Sequence, residues 1–147
     1  MSPQNKSERL RILYVLPYVP SPIRVRPYQI IRSLAQRGHR VTVVALADGF
    51  STPDSLRELE TICETVHIVP HSSVRAAANC LKALPTATPL WAAYCHSPAM
   101  ARVLRSLIRE QQFDVAHVEH LRAAHFAADL GSLPRVLDAV DCITALR

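Results

Sequence analysis

Two kinds of apolar pattern alternate along this chain. RILYVL, Arg11–Leu16, and HRVTVVAL, His39–Leu46, are apolar at consecutive positions and rich in β-formers. Such runs predict strands buried on both faces, as in a parallel sheet. Between them Ile30, Ile31, Leu34 and Ala35 make one helical stripe, with Pro27 in its first turn and Gly38 as its stop. The first part of the chain therefore reads as a βαβ unit, which is right-handed in nearly all cases. Thr52 and Pro53 open a second helix with Leu56, Leu59, Ile62 and Cys63 on one face. TVHIVP, Thr65–Pro70, is a short strand, and Ser72–Leu84 is helical up to the break at Pro85. Ser97 and Pro98 begin the clearest helix, with Met100, Val103, Leu104, Leu107 and Ile108 at helical spacing. FDVAHV, HLRAAHFAADL, RVLDAV and DCITALR continue as strand, helix, strand and helix. TATPLWAAYC resists assignment.

Alternating strands and helices predict an α/β fold, a Rossmann-like doubly wound parallel sheet with helices on both faces. RILYVL is expected at its centre, between HRVTVVAL and FDVAHV, because all three runs are apolar on both faces. Residues 1–10 are polar and read as a flexible lead, and residues 11–147 as one domain. Ile143 and Leu146 open a helix with nothing to pack on, so the chain is expected to be a fragment.

Composition narrows the picture. The chain has 147 residues and is 49% hydrophobic, enough for a real core. A formal charge of +5 favours anionic partners: phosphates, nucleotides or acidic lipid. The bias is too mild for nucleic acid, and aromatics are few. At most a weak peripheral attraction to anionic lipid follows. The lead MSPQNKSERL lacks a signal-peptide core and no apolar run is long enough to span a bilayer. Cys63, Cys80, Cys95 and Cys142 form no CxxC pair. Together these predict a cytoplasmic location, peripheral to the membrane at most, with idle thiols.

In open α/β sheets ligands bind outside the carboxyl ends of the strands. That singles out four loops: Pro17–Arg26, Ala47–Thr52, Glu119–Leu121 and Val140–Asp141. Arg24 and Arg26 lie in the first loop, just before a helix N-terminus, where anions are attracted and an arginine can clamp phosphate oxygens. The alternative is a proline-stiffened turn with solvated charges, and the sequence does not choose between the two arginines. GxGxxG and GxxxxGK[ST] are both absent, against an ordinary dinucleotide site and a P-loop. In HVEH, alternation puts His117 and Glu119 on one side. His117 reads as a core residue, while Glu119 and His120 at the strand end suit chemistry, a sugar hydrogen bond or a helix cap. Asp138 and Asp141 bind a ligand or cap the next helix. Cys63, His67 and His71 have metal-like intervals but lack a completing cluster, so no metal is expected.

RILYVLPYVPSPIRVRPYQIIRSLAQRGHRVTVVAL resembles the opening of family-4-like glycosyltransferases of the GT-B fold. FDVAHVEHLRAAHF is similar to their fourth strand and loop, D-V-V-H-x-H, and PRVLDAVDC to their fifth strand. The resemblance implies an N-terminal, acceptor-side domain, with the donor-holding C-terminal domain and its E-x7-E motif absent. It implies transfer from a nucleotide-sugar donor to a glycan, lipid or small-molecule acceptor, with retention, without metal or cofactor. It further implies that the fragment alone is inactive. Arg24 and Arg26 would face the donor diphosphate. The family's second histidine falls on Glu119, with His120 beside it. The rival function class is a stand-alone α/β binding domain without catalysis.

Overall fold

The computed structural model describes residues 9–22, 25–47, 49 and 52–139. Five strands form one parallel sheet: β1 Arg11–Leu16, β2 Arg40–Leu46, β3 Thr65–Val69, β4 Val115–Glu119 and β5 Arg135–Asp138. Their order is β3-β2-β1-β4-β5. β1 lies between β2 and β4 as its two apolar faces predict, pairing Tyr14 with Val43 on one side and with His117 on the other. The architecture is the expected Rossmann-like doubly wound α/β fold.

The helices are α1 Val25–Gln36, α2 Pro53–Ile62, α3 Ser73–Ala83, α4 Leu90–Cys95 and α5 Pro98–Glu110, with a 3-10 helix at Leu121–Leu130. On one face of the sheet, Leu13, Val15, Val44, Ala116 and Val118 pack against Met100, Leu104 and Leu107 of α5 and Phe126 of the 3-10 helix. On the other, Tyr14, Leu16, Val41, Val43 and Ala45 pack against Ile31 of α1 and Leu59 of α2. Alternation along β1 thus feeds two cores at once.

Local chemistry sets the element ends. Gly38, at φ 89°, closes α1: the N–H of His39 donates to Leu34 O (3.1 Å) and that of Gly38 to Ala35 O (2.9 Å). Thr52 and Ser97 cap α2 and α5, each hydroxyl accepting the N–H three residues on, from Ser55 (3.3 Å) and Met100 (3.2 Å).

Three elements depart from the sequence expectation. α1 begins at Val25, so Arg26 lies inside its first turn and not in the loop before it, while Pro27 is in that turn as expected, where the missing N–H costs nothing. Phe113 and Asp114 precede β4, and the Asp114 carboxylate accepts the Arg11 N–H at 2.7 Å. HLRAAHFAADL winds as a 3-10 helix, with Ala123 and Phe126 buried three apart, the repeat of that tighter coil. The helix expected in DCITALR, with Ile143 and Leu146, lies outside the described residues.

Candidate active site at the carboxyl edge

Strand order reverses between β1 and β4, so the crevice at their carboxyl ends is the topological switch point. The proline turn after β1 is packed there: Pro17, Val19 and Pro20 are buried. Stiff φ angles and burial hold the chain as it turns towards α1.

Five side chains converge on the α1 face of this crevice. Tyr14 comes from β1, Arg26 from the first turn of α1, His117 and Glu119 from β4, and Asp138 from β5. Register brings the acids together, since Glu119 and Asp138 are partners across β4 and β5. Glu119 is only 1% exposed. Its Oε2 accepts from the Tyr14 hydroxyl (2.8 Å) and contacts His117 Nε2 (3.2 Å). Its Oε1 accepts from Arg26 Nη1 at 2.9 Å. The other arm of Arg26, Nη2, pairs with Asp138 Oδ2. The Tyr14 and His117 rings stack 4.3 Å apart.

The electrostatics follow from these contacts. Burial alone would raise the Glu119 pKa, but hydrogen bonds from His117 and Tyr14, with the Arg26 charge, bring it below its ordinary value. Burial and the Glu119 bond push the Tyr14 phenol far up, so it stays a donor. Two carboxylates against one guanidinium make a compact ion cluster. It is closed at Glu119 and open at Arg26, whose side chain is 50% exposed. His117, Glu119 and Asp138 offer ligand atoms within 4.8 Å of one another, the one such metal-like group among the described residues. The cation bonded to both carboxylates is Arg26. Cys63, His67 and His71 do not converge.

His120 ends β4 in a strained conformation, φ 71° and ψ 143°. Its N–H donates to Asp138 O (2.9 Å), its carbonyl accepts from Ala123 N–H (3.0 Å), and its Nδ1 accepts from Arg122 N–H (3.2 Å). With Nδ1 accepting, neutral His120 carries its proton on Nε2.

Among the sequence candidates, Arg26, Glu119 and His120 therefore meet at one edge, while Arg24 and Asp141 lie outside the described residues. Glu119 points inward to Arg26 and Tyr14 and away from the surface where a strand-end acid was expected. Sequence reasoning missed Tyr14, and its signal was available: a tyrosine inside a buried strand needs a hydroxyl partner.

Elsewhere, residues of α3, α4, the loop between them and the 3-10 helix line an open cleft of about 440 Å³, among them Asn79, Lys82, Thr86, Thr88, His96 and His125. Burial, then the nearby His96, lowers the pKa of His125. Two thiols are held protonated by burial, which raises Cys63 to about 12 and Cys95 to about 11. No helix among the described residues is long and apolar enough to cross a membrane.

Comparison with known proteins agrees with this architecture. The C-terminal domain of a Pyrococcus furiosus hydrogenase superposes with a TM-score of 0.54 at 14% identity, covering 89% of this chain and 92% of that one. UGT2 from Phytolacca americana, solved with UDP-2fluoro-glucose and pterostilbene, superposes with a TM-score of 0.53 at 18% identity. That alignment covers 88% of this chain and 30% of the larger protein. At such identities both likenesses show the fold alone. A search of curated proteins gives no significant sequence match. The sequence profile of Glycosyltransferase Family 4 matches residues 23–137, a span running from the proline turn through α1 and the β4–β5 edge. The chain belongs to glycosyltransferase family 4.

Proposed function

We propose that this chain is the acceptor-side domain of a glycosyltransferase that moves a sugar from a nucleotide-sugar donor to a glycan, lipid or small-molecule acceptor. A second, donor-holding domain completes the site. The observation that carries this reading, beside family membership, is the half-exposed Arg26 held at the switch point by Glu119 and Asp138. In transfer, the bond from the sugar's anomeric carbon to the diphosphate breaks and its electron pair leaves with the phosphate oxygen. The acceptor hydroxyl bonds to that carbon and passes its proton to the departing phosphate oxygen. Arg26 meets the charge gathering on the diphosphate, as a preorganised cation should. The reaction retains anomeric configuration and uses no metal.

Glu119 works through Arg26: its oxygens are bound to Tyr14, His117 and the guanidinium, so it aims the cation. His120 donates to a sugar oxygen. The cleft beside His96 and His125 holds the acceptor, its Asn79, Thr86 and Thr88 suiting a hydroxyl-rich group.

Radiolabelled nucleotide sugars offered to the protein carrying both domains should yield glycosylated product and a nucleoside diphosphate. The 147-residue chain alone should yield neither, because closure of two domains assembles such a site. Turnover by the isolated chain would overturn the two-domain reading. Absence of any transfer across donors and acceptors in the two-domain protein would overturn the enzymatic one.

A further inference from the structure

Helix α3 is inside out. Val74, Ala77, Ala78 and Leu81, at helical spacing i, i+3, i+4 and i+7, all face solvent, and Leu84 follows just past the helix end. Val74 is 80% exposed and Leu81 69%. The opposite stripe, which packs inward, is small and polar: Ala76, Asn79, Cys80 and Ala83. A surface helix normally points its large apolar residues at the core. α4 does the same thing beside it, with Leu90, Trp91 and Tyr94 turned outward and Ala93 and Cys95 turned in. Cys80 joins the two rows: its thiol donates to Leu90 O at 3.4 Å, and it lines a groove with Leu90, Trp91, Tyr94 and Arg122. The result is a continuous apolar shelf, of the kind that marks an interaction site.

Charge identifies the occupant. From Thr65 to Arg109 the chain contains no Asp or Glu, and α3 carries Arg75 and Lys82. Arg75 and Lys82, seven apart, lie along one flank of the α3 stripe, and Arg122 borders the groove on the α4 side. An apolar band with an indole and a phenol, edged by Arg75, Lys82 and Arg122 and built from helices that contain no Asp or Glu, fits the boundary between acyl chains and anionic headgroups. A protein partner of ordinary mixed charge gives no reason for a stretch this empty of acids.

We infer that the outward face of α3 and α4 is a docking surface for an anionic lipid bilayer. Leu81, Leu84, Leu90 and Trp91 enter the headgroup boundary, and Arg75, Lys82 and Arg122 snorkel to the phosphates. This inference does not rest on glycosyl transfer, because binding to a bilayer needs neither donor nor acceptor.

Trp91 is the chain's single tryptophan and is 43% exposed, so its emission reports this surface alone. The chain is titrated with vesicles of phosphatidylcholine and with vesicles containing one third phosphatidylglycerol, and the pellet is assayed. The anionic vesicles should carry the chain down and shift Trp91 emission to shorter wavelength, with the effect fading as salt is raised. Pure phosphatidylcholine should bind far less. Leu81→Asp with Leu84→Asp should lower partitioning more than about tenfold. Arg75→Gln and Lys82→Gln should each lower it about fivefold. All four side chains are exposed, so far-ultraviolet circular dichroism should be unchanged. The inference fails if anionic vesicles bind no better than neutral ones or if the double aspartate variant binds like the parent. It also fails if sedimentation shows Trp91 already shielded in a lipid-free dimer, which would make a second copy the occupant.

Discussion

The cluster around Glu119 and the shelf on α3 and α4 invert one another. The first puts charge inside: Glu119 is almost fully buried, yet Tyr14, His117 and Arg26 all contact it. The second puts apolar groups outside, where Val74, Leu81, Leu84, Leu90 and Trp91 face water. Burying a charge is costly unless partners surround it, whereas exposing apolar surface is costly only while nothing covers it. A satisfied interior cluster therefore reports on how the domain holds its own residues. An unsatisfied exterior band reports on something beyond the domain. The two regions should answer mutation oppositely.

The largest effect on stability should come from Glu119→Ala. It strands the Tyr14 hydroxyl and His117 and costs about 3 kcal/mol, after discounting for the exposed side of Arg26. Urea unfolding would measure it, and a change below about 1 kcal/mol would mean that the cluster is ornamental. Tyr14→Phe keeps the ring on His117 but loses one bond to a charged acceptor, for about 2 kcal/mol by the same measurement. Acid should act through the same carboxylate. The folded pKa of Glu119 lies below its ordinary value of 4.5. Its contribution is therefore complete above that value and is lost as pH falls through the lower folded one. The urea midpoint should drop in that window, and Glu119→Gln should flatten the drop. The smallest stability effect belongs to the shelf. Leu81→Asp should shift unfolding by no more than about 0.5 kcal/mol, while vesicle binding collapses. A large loss of stability there would show that α3 is ordinary core and would erase the contrast.

Much of the frame was legible because it is written locally. β1 and β2 are apolar at nearly every position, Thr52 and Ser97 sit at helix starts, and Gly38 sits at a helix stop. The edge that holds Arg26, Glu119 and His120 was legible from strand ends alone. Its wiring was not. Arg26 and Glu119 are separated by 93 residues, Tyr14 and Glu119 by 105, and only strand order and register join them. The Glu119–Asp138 pairing likewise depends on β4 and β5 being neighbours, which no periodicity states. The shelf was hidden for the opposite reason. An apolar stripe at helical spacing reads as a buried face, and only the packing of Ala76 and Ala83 shows that α3 is turned round. The 3-10 winding after His120 was equally unreadable, because an alanine-rich run favours an α-helix by propensity.

The central claim is that the cluster exists to aim Arg26 at the donor diphosphate. It is tested most directly by steady-state kinetics of Arg26→Ala in the protein carrying both domains, assayed by nucleoside diphosphate release at saturating acceptor, with folding verified by thermal unfolding. The account predicts a fall in kcat of about 10²-fold with little change in the acceptor KM. A folded Arg26→Ala variant with the parent kcat would contradict it and leave the arginine as a structural tie between Glu119 and Asp138.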